Sequence, residues 1–249
     1  MSTDPRLAVV TGGTGGLGTA ICRRLATDGL RVVALHTPGN TQVAAWQAGQ
    51  AAAGCLVDAF PADVASFDSC AGAVAAIRER HGPVSVLVNN AGITRDASFR
   101  KMTVDDWNAV LRTNLDSMFN MSRQVVEDMV ALGWGRIVNI SSVNGQRGAF
   151  GQANYAAAKA GVVGFTRTLA LELARRNVTV NTVSPGYLRT RMVEKVSPQV
   201  LQDHVLPEIP LGRLGEPDEV AQLVAYLCSD AAAFVTGANL AINGGQHMA

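Results

Sequence analysis

Residues 9–18 read Val-Val-Thr-Gly-Gly-Thr-Gly-Gly-Leu-Gly, and residues 19–25 continue as Thr-Ala-Ile-Cys-Arg-Arg-Leu. The β-branched start predicts a strand, the glycines predict a tight turn, and the last seven residues predict the start of a helix. Glycines in such a turn let the backbone approach a pyrophosphate, and the helix N-terminus offers it free N–H donors. The spacing is G-x-x-x-G-x-G rather than G-x-G-x-x-G, and an ordinary structural loop also explains such strings.

Strand-like apolar runs alternate with helix-like segments through the chain. Besides the run at 7–10, they stand at residues 31–35, 86–89, 136–140, 179–183 and 240–242. This is the βαβ rhythm of a parallel sheet. With 48% hydrophobic and 16% charged residues, the 249 residues can bury a sizeable core. We therefore predict an α/β fold in which residues 1–249 form one domain, a Rossmann-like doubly wound parallel sheet with helices on both faces.

Two further apolar runs end in polar residues. Residues 86–92 read Val-Leu-Val-Asn-Asn-Ala-Gly, and residues 136–142 read Arg-Ile-Val-Asn-Ile-Ser-Ser. Parallel strands bring their carboxyl ends to one edge of a sheet, so these polar residues should face the same crevice as the glycine turn. Either Ser141 or Ser142 could simply cap the turn that follows.

Tyr155 and Lys159 stand four residues apart, a spacing that places a phenol and an ammonium on one face of a helix. A free tyrosine titrates near pH ~10. A cation held close favours the phenolate and brings the group into range for proton transfer at neutral pH. The pair is thus a candidate for catalysis, although an amphipathic helix with a surface lysine has the same spacing.

Together these ordered motifs resemble the short-chain dehydrogenase/reductase family over residues 7–245. The resemblance implies that Ser142 polarises a substrate carbonyl and that Tyr155 donates the proton. It also implies that Lys159 lowers the pKa of the tyrosine and holds the nicotinamide ribose. Asn114 matches the asparagine that supports a water-linked proton relay in this family. Alternatively, Asn114 is a buried amide whose hydrogen bonds stabilise one helix.

The resemblance also implies a set of contacts to a bound dinucleotide. The expected cofactor-binding residues are Gly12, Gly15, Gly16, Leu17, Gly18, Thr37, Asn40, Gln42, Asp63, Val64, Asn90, Ala91, Gly92, Tyr155, Lys159, Pro185, Gly186 and Thr190. Asp63 and Val64 would lie under the adenine. Pro185 and Gly186 would lie beside the nicotinamide, and Thr190 near its carboxamide.

The cofactor is expected to be NADPH or NADH. A dinucleotide fold usually discriminates just after its second strand, where an acid holds the NAD ribose and a base accepts the NADP phosphate. Between Val32 and Val57 the sequence has no Asp, Glu, Lys or Arg. Gly15 and Gln42 also stand where family members can have an arginine. The family favours NADPH, and the missing basic clamp favours NADH.

Four strings, at residues 90–96, 99–103, 134–146 and 243–248, resemble the acetoacetyl-CoA reductase branch of the family. That resemblance implies reduction of acetoacetyl-CoA to (R)-3-hydroxybutyryl-CoA in polyhydroxybutyrate synthesis. The residues that it places around the acyl group are Asp96, Ser142, Phe150, Gly151, Gln152, Gly186 and Tyr187. Phe150 and Tyr187 could instead be core or interface aromatics. Ala149 departs from the glutamine that this branch commonly has.

Two other functions fit the same residues. The first is reduction of 3-oxoacyl groups on acyl carrier protein in fatty acid synthesis, which shares the catalytic set. The second is a non-catalytic nucleotide-binding or redox-sensing protein with the same fold. The complete set of Ser142, Tyr155 and Lys159 argues against a protein without turnover.

Seven cations and a possible lid segment flank the predicted mouth of the crevice. The cations are Arg95, Arg100, Lys101, Arg147, Arg189, Arg191 and Lys195. Most should be solvated surface charges, and we expect at least one to steer the phosphates of CoA. Val193, Val196, Val200 and Leu201 have helical spacing, and prolines follow at 207 and 210. We expect a helical substrate lid around residues 190–215, with a fixed surface excursion as the alternative.

Composition also limits the partners. No apolar run approaches the ~18 residues of a membrane span, and the start lacks a signal-peptide pattern, so we expect a cytoplasmic protein with no membrane partner. A net charge of +1 argues against nucleic acid. The four cysteines lack metal-ligand spacing, so we expect buried free thiols and no metal. The family resemblance implies a homotetramer paired through long helices around residues 105–132 and 152–176.

Overall fold

The computed structural model describes residues 6–190 and 198–248 of the chain. Its seven strands are β1 (Leu7–Val10), β2 (Arg31–His36), β3 (Val57–Pro61), β4 (Val86–Asn89), β5 (Gly135–Ile140), β6 (Val178–Pro185) and β7 (Asn239–Ile242). They form one sheet in the order β3-β2-β1-β4-β5-β6-β7. Every neighbouring pair is parallel. The predicted α/β fold with a doubly wound parallel sheet is confirmed.

The strand order reverses at β1, which pairs with β2 on one side and with β4 on the other. Val9 lies opposite Val33 in the first pairing and opposite Leu87 in the second. In open α/β sheets, ligands bind in the crevice at the carboxyl end of this switch point. The glycine turn follows β1 and residues 90–92 follow β4, so both lie at that crevice.

The sheet lies between two layers of helices. The helices are α1 (Gly16–Thr27), α2 (Val43–Ala52), α3 (Phe67–His81), α4 (Val104–Leu111), α5 (Ser117–Leu132), α6 (Asn144–Arg147), α7 (Ala153–Leu173), α8 (Pro198–Val200) and α9 (Pro217–Cys228). One core joins the sheet to α1 and α9 through residues such as Ile21 and Val224. The core on the opposite face joins it to α3, α5 and α7 through Ile77, Val125 and Leu173. Burial on both faces explains why the strands read as continuous apolar runs.

The long helical region expected at residues 105–132 is interrupted. Thr103 and Asp106 form a reciprocal capping box at the start of α4. A π-helical turn, Arg112–Asp116, then separates α4 from α5. Such turns are often found at functional sites, and this one contains Asn114.

Part of the expected lid is described. The single turn α8 continues as a π-helical turn, Leu201–Val205, and a 3₁₀ turn, Leu206–Glu208. Val193 and Val196 lie outside the described residues, as do Arg191 and Lys195.

Two further expectations concern helices and thiols. No helix within residues 6–190 and 198–248 is long and apolar enough to cross a membrane. All four cysteines are free. Cys22, Cys70 and Cys228 are buried as expected, whereas Cys55 is only partly buried.

Candidate active site

The two serines after β5 have different environments. The Ser141 hydroxyl is buried and donates a hydrogen bond to the Lys159 carbonyl oxygen at 2.7 Å, so it fastens the strand end to α7. The Ser142 side chain instead acts on the Tyr155 phenol, whose pKa it lowers, and its Oγ accepts a bond from the Asn144 N–H at 3.1 Å. The structure therefore separates a structural serine from one that faces the tyrosine.

Tyr155 and Lys159 share one face of α7, as their spacing predicts. The Lys159 Nζ lies 5.7 Å from the centroid of the Tyr155 ring. Lys159 is only 3% exposed, and its Nζ donates to the Ile140 carbonyl oxygen at 2.8 Å. The ammonium is therefore held by the last residue of β5, immediately before the two serines.

Burial sets the ionisation of both side chains. It lowers the pKa of Lys159 to about 8, so the ammonium form still predominates at neutral pH. Burial also raises the pKa of Tyr155. The Ser142 side chain opposes this rise, and the negative charge of Asp96 adds to it. This direction is opposite to the lowering expected from Lys159. The lysine charge is directed at the Ile140 carbonyl, and desolvation of the phenol is the larger effect.

Asn114 joins the π-helical turn to the loop after β4. Its Oδ1 accepts from the Ile93 N–H at 2.8 Å, and its Nδ2 donates to the Ile93 carbonyl at 2.9 Å. A Cβ added to Gly92 would lie 3.4 Å from Asn114 Oδ1 and 3.6 Å from Lys159 Nζ. A side chain at Gly92 would therefore contact both polar groups. Beside this glycine, Asn114 ties the two segments together.

The glycine turn is packed too closely to accept a side chain at Gly13 or Gly18. A Cβ on Gly18 would overlap the Gly12 carbonyl oxygen, and one on Gly13 would lie 2.6 Å from the Ala34 Cβ. Gly12 has φ +61°, a conformation that glycine adopts without strain. Gly15 is the N-cap of α1, and no side chain caps the helix or places an acid in its first turn. Such an N-terminus is a site for an anion.

The residues after β4 are joined to this turn. The N–H groups of Asn90 and Ala91 both donate to Thr11 Oγ1 at 2.9 Å. The Asn90 Nδ2 also donates to the carbonyl oxygens of Thr11 and Gly12, at 2.9 and 3.2 Å. Asn90 therefore helps to fix the backbone of the glycine turn.

The expected adenosine contacts follow β2 and β3. The Asn40 Nδ2 donates to Thr14 Oγ1 at 3.4 Å, and the Asn40 Oδ1 accepts from the Gln42 N–H at 3.0 Å. Thr37 is exposed, and its carbonyl accepts from the Asn40 N–H at 3.2 Å. This loop therefore lies against the glycine turn and offers only neutral groups.

Asp63 and Val64 form the loop after β3. Asp63 Oδ1 accepts from the Ala65 N–H at 3.0 Å. The buried Asn120 side chain donates to the Val64 carbonyl at 2.9 Å. The loop is thereby attached to α5, on the same edge of the sheet as the other expected contacts.

The end of β6 completes the crevice. The Pro185 carbonyl accepts from the Val143 N–H at 2.8 Å, which links the segments after β5 and β6. A Cβ on Gly186 would lie 2.9 Å from Asn243, so the backbone there is tightly packed. A Cβ on Gly16 would lie 3.6 Å from the Thr190 side chain, so Thr190 reaches the glycine turn.

The residues expected around the acyl group divide into a connected set and exposed ones. Asp96 Oδ2 accepts from Gln152 Nε2 at 2.9 Å, and the Gly151 carbonyl accepts from the Ala97 N–H at 2.9 Å. Tyr187 is half-buried and acts electrostatically on Tyr155. Phe150 is 95% exposed, which excludes a core role for it in the single chain.

The cations flanking the mouth also divide into two groups. Arg147 pairs with Glu208 at 2.8 Å, and Arg189 pairs with Glu216 at 2.8 Å. Within the described residues, the other three flanking cations form no ion pair; these exposed side chains are Arg95, Arg100 and Lys101. The Arg147–Glu208 pair links α6 to the 3₁₀ turn of the expected lid, and Arg147 lowers the pKa of Glu208.

The sequence motifs did not indicate Asn144, whose backbone and side chain both bond to candidate site residues. Its position two residues after Ser142 was the available signal. Nor did they indicate the Arg147–Glu208 pair, which joins segments 61 residues apart. In the described part of the chain, no group of three or more His, Cys, Asp or Glu residues is arranged to hold a metal ion.

A sequence model of the family described as enoyl-(acyl carrier protein) reductase matches residues 12–247. The chain belongs to the short-chain dehydrogenase/reductase family, whose members are oxidoreductases that use a nicotinamide cofactor. The glycine cradle, the uncapped N-terminus of α1 and the lack of a side chain at Gly92 beside Asn114 and Lys159 fit such a dinucleotide. Sequence identity to particular proteins narrows the comparison further.

Over 243 residues the chain is 54% identical to an acetoacetyl-CoA reductase of Cupriavidus necator, covering 98% of each chain. It is 52% identical over 244 residues to an acetoacetyl-CoA reductase of Allochromatium vinosum, covering 98% of this chain and 99% of the relative. It is 42% identical over 250 residues to a 3-oxoacyl-[acyl-carrier-protein] reductase of Pseudomonas aeruginosa, covering all of both chains. The relatives thus share the family but differ in the carrier of the acyl group.

Proposed function

We propose that this protein reduces acetoacetyl-CoA to (R)-3-hydroxybutyryl-CoA, the monomer precursor in polyhydroxybutyrate synthesis. The observation that carries the proposal is the arrangement of Tyr155, which shares a helix face with the buried Lys159 and whose phenol is influenced by the Ser142 side chain. The extent of identity to proteins named acetoacetyl-CoA reductases supports the choice of substrate.

The protein side of the mechanism follows from the ionisation states. The raised pKa of Tyr155 keeps its phenol protonated at neutral pH, as a proton donor requires. Ser142 and Tyr155 present two hydroxyls that can donate to one keto oxygen, Tyr155 giving up its proton as the alkoxide forms. The bound nicotinamide supplies the hydride for the ketone carbon. Lys159, still largely an ammonium below pH 8, holds positive charge in the crevice and would hold the ribose.

A CoA thioester also suits the rim of the crevice. Arg95, Arg100 and Lys101 are exposed on the segment that follows β4, beside the exposed Phe99. Cations without an ion-pair partner lose less on binding a phosphate than cations already paired with a carboxylate. We therefore propose that this group, rather than Arg147 or Arg189, steers the CoA phosphates.

We propose that the enzyme accepts both NADPH and NADH. The loop after β2 holds neutral Asn40 and Gln42 near the glycine turn, so it neither repels a 2′-phosphate nor pairs with it. One charge-assisted hydrogen bond contributes roughly 1.5–3 kcal/mol, which is about tenfold or more in affinity. Without such a partner, we expect the two catalytic efficiencies to differ by less than about tenfold.

Initial rates with three substrate sets test these proposals. The enzyme would be assayed with acetoacetyl-CoA and NADPH, with acetoacetyl-CoA and NADH, and with an acetoacetyl-acyl-carrier-protein at matched concentration. Fast turnover of the CoA ester with the (R) product supports the proposal. A clear preference for the carrier-protein substrate would favour the alternative activity, reduction of 3-oxoacyl groups on acyl carrier protein, which the name of the relative from Pseudomonas aeruginosa states. Cofactor binding without turnover of any of them would favour a non-catalytic nucleotide-binding protein.

We further propose that residues 190–215 form a substrate lid. The Arg147–Glu208 pair, the bond from Arg189 N–H to the Gly215 carbonyl, and the bond from Gly215 N–H to the Tyr187 carbonyl attach this segment to the rim of the crevice. Acetoacetyl-CoA with the oxidised cofactor should slow limited proteolysis within the segment. An unchanged cleavage rate would contradict a lid role.

We propose a homotetramer that works in the cytoplasm. A groove of about 300 Å³ between α5 and α7 is lined by Phe119, Val126, Phe165 and Leu169, and Phe119 is 54% exposed in the single chain. A second copy covering this apolar groove would bury it about a two-fold axis. A highly charged CoA ester does not cross a bilayer unaided, so the enzyme should share the compartment that makes its substrate. Light scattering tests the tetramer, and cell fractionation tests the cytoplasmic location.

A further inference from the structure

A series of hydrogen bonds connects Asp96 to Ser142 through Gln152 and Asn144. Gln152 Nε2 donates to Asp96 Oδ2 at 2.9 Å. Asn144 Nδ2 donates to Gln152 Oε1 at 3.0 Å. The Asn144 backbone N–H donates to Ser142 Oγ at 3.1 Å. The series thus connects the loop after β4, the start of α7 and α6 to one hydroxyl of the candidate site.

The carboxylate at one end fixes the direction of both amides. An ionised Asp96 only accepts hydrogen bonds, so Gln152 must turn its NH₂ group toward Asp96 and its oxygen toward Asn144. Asn144 must then turn its own NH₂ group toward Gln152. Asn144 is buried, with 7% of its surface exposed. Its Oδ1 is then left with no hydrogen-bond partner among the described residues. An unpaired buried acceptor is unfavourable, so this oxygen does not favour the observed orientation of the Asn144 amide. The hydrogen bond to Gln152 determines that orientation.

Close packing makes the position of α6 important. A Cβ on Gly145 would lie 2.8 Å from both the carbonyl carbon and the Cβ of Lys159. The helix therefore sits directly on the backbone of α7, one turn from Tyr155. A shift of α6 would change the separation of Ser142 and Tyr155, and side-chain bonds from Asn144 oppose such a shift.

We propose that Asn144 is a positioning residue, which with Gln152 and Asp96 holds the Ser142 hydroxyl against Tyr155. The Asn144 N–H occupies one lone pair of Ser142 Oγ, which leaves the hydroxyl proton for Tyr155 or a substrate oxygen. The proposal rests on the proposed reductase function, in which these two hydroxyls act on one keto oxygen. Asn144 itself need not touch the substrate.

A double-mutant cycle tests the proposal. We would measure kcat for Asn144→Ala, Asp96→Ala and the double variant, with Gln146→Ala as the matched control. Gln146 lies on the same helix and also has a buried oxygen without a partner in the described chain, but it is outside the series. We expect each single variant to lower kcat about tenfold and the double variant to lower it no further, because both act through the same bonds. Gln146→Ala should keep kcat within about twofold, and the KM for cofactor should be unchanged.

Two results would overturn the proposal. One is a double variant whose loss is the product of the single losses, about a hundredfold, since independent sites add in free energy. The other is an Asn144→Ala variant that resembles Gln146→Ala. If Asn144→Ala does not fold by circular dichroism, Asn144→Ser replaces it, since its shorter side chain also loses the Gln152 bond. The cycle would also be run with ethyl 3-oxobutanoate. If the wild type reduces this ester but not acetoacetyl-CoA, only the proposed substrate is contradicted, and the positioning role of Asn144 is tested with the ester.

Discussion

At the scale of single residues, the phenol oxygen of Tyr155 is the group whose removal should matter most. Tyr155→Phe keeps the ring and removes the proton donor. We expect kcat for acetoacetyl-CoA to fall by about 10²–10⁴-fold, the usual contribution of a general acid. The melting temperature and cofactor binding should change little. Retention of kcat within about tenfold of wild type would remove Tyr155 from the proposed role.

Lys159 gives a pH dependence that binding measurements can detect. Its pKa of about 8 means that the side chain is charged below pH 8 and loses its charge as the pH rises through that value. If the ammonium holds the cofactor, the dissociation constant should rise by about tenfold between pH 7 and pH 10. Nucleotide fluorescence measures it directly. Lys159→Arg should lack this rise because a guanidinium does not titrate there; an equal rise in both proteins would assign the effect to another group.

The difference between Ser141 and Ser142 shows where residue-level inference from sequence stops. Both serines stand at the predicted strand end, and only the family resemblance selected Ser142. The structure shows that Ser141 is committed to the Lys159 carbonyl. Likewise, spacing predicted that Tyr155 and Lys159 share a helix face, but burial decides the direction of the tyrosine pKa. Desolvation depends on packing by distant segments, which a local pattern does not contain.

At the scale of elements, the turn between β1 and α1 should tolerate no side chain at Gly18. In Gly18→Ala the new Cβ would overlap the Gly12 carbonyl oxygen, so the turn must open. We expect lost cofactor binding and a melting temperature lower by several degrees, about 1–3 kcal/mol of destabilisation. Gly49→Ala is the matched control, since a Cβ in this exposed part of α2 meets nothing within 4 Å.

The Gly49→Ala control should change the stability in the opposite direction. Alanine in a helix interior is favoured over glycine by about 0.5–1 kcal/mol, so Gly49→Ala should raise the melting temperature slightly and keep cofactor binding. Thermal unfolding and a fluorescence titration of both variants are sufficient. Equal behaviour of the two variants would show that the glycine turn is less constrained than its packing indicates.

The elements themselves were largely predictable, and their interruptions were not. Apolar runs located β1, β4 and β5 because buried parallel strands need continuous hydrophobic residues. The π-helical turn at Arg112–Asp116 leaves no comparable signal, since one extra residue in a helix disturbs the apolar period only slightly. The amide directions of Asn144 and Gln152 depend on Asp96, a partner in a different element. They follow from the tertiary structure and not from any local string.

At the scale of the whole molecule, the groove between α5 and α7 predicts how the chain assembles. Leu169→Glu would place a carboxylate among the apolar side chains lining the groove. If the wild type is the proposed tetramer, we expect the mass of the variant in light scattering to fall below the wild-type mass, because burying an unpaired charge in an interface is costly. Leu56→Glu is the control, since Leu56 is 84% exposed outside the groove and should leave the mass unchanged. An intact tetramer of the Leu169→Glu variant would place the interface elsewhere.

The strand order also has a consequence for how the protein acquires its activity. The crevice takes residues from the ends of β1, β4, β5 and β6, and the pairing of β1 with β4 spans the whole of β2 and β3. Contacts so distant in sequence form slowly, because the chain entropy is lost before they stabilise anything. Helix content should therefore recover during refolding well before turnover does. Enzyme activity would then report the completed folding of this chain, which a helical signal alone would overestimate.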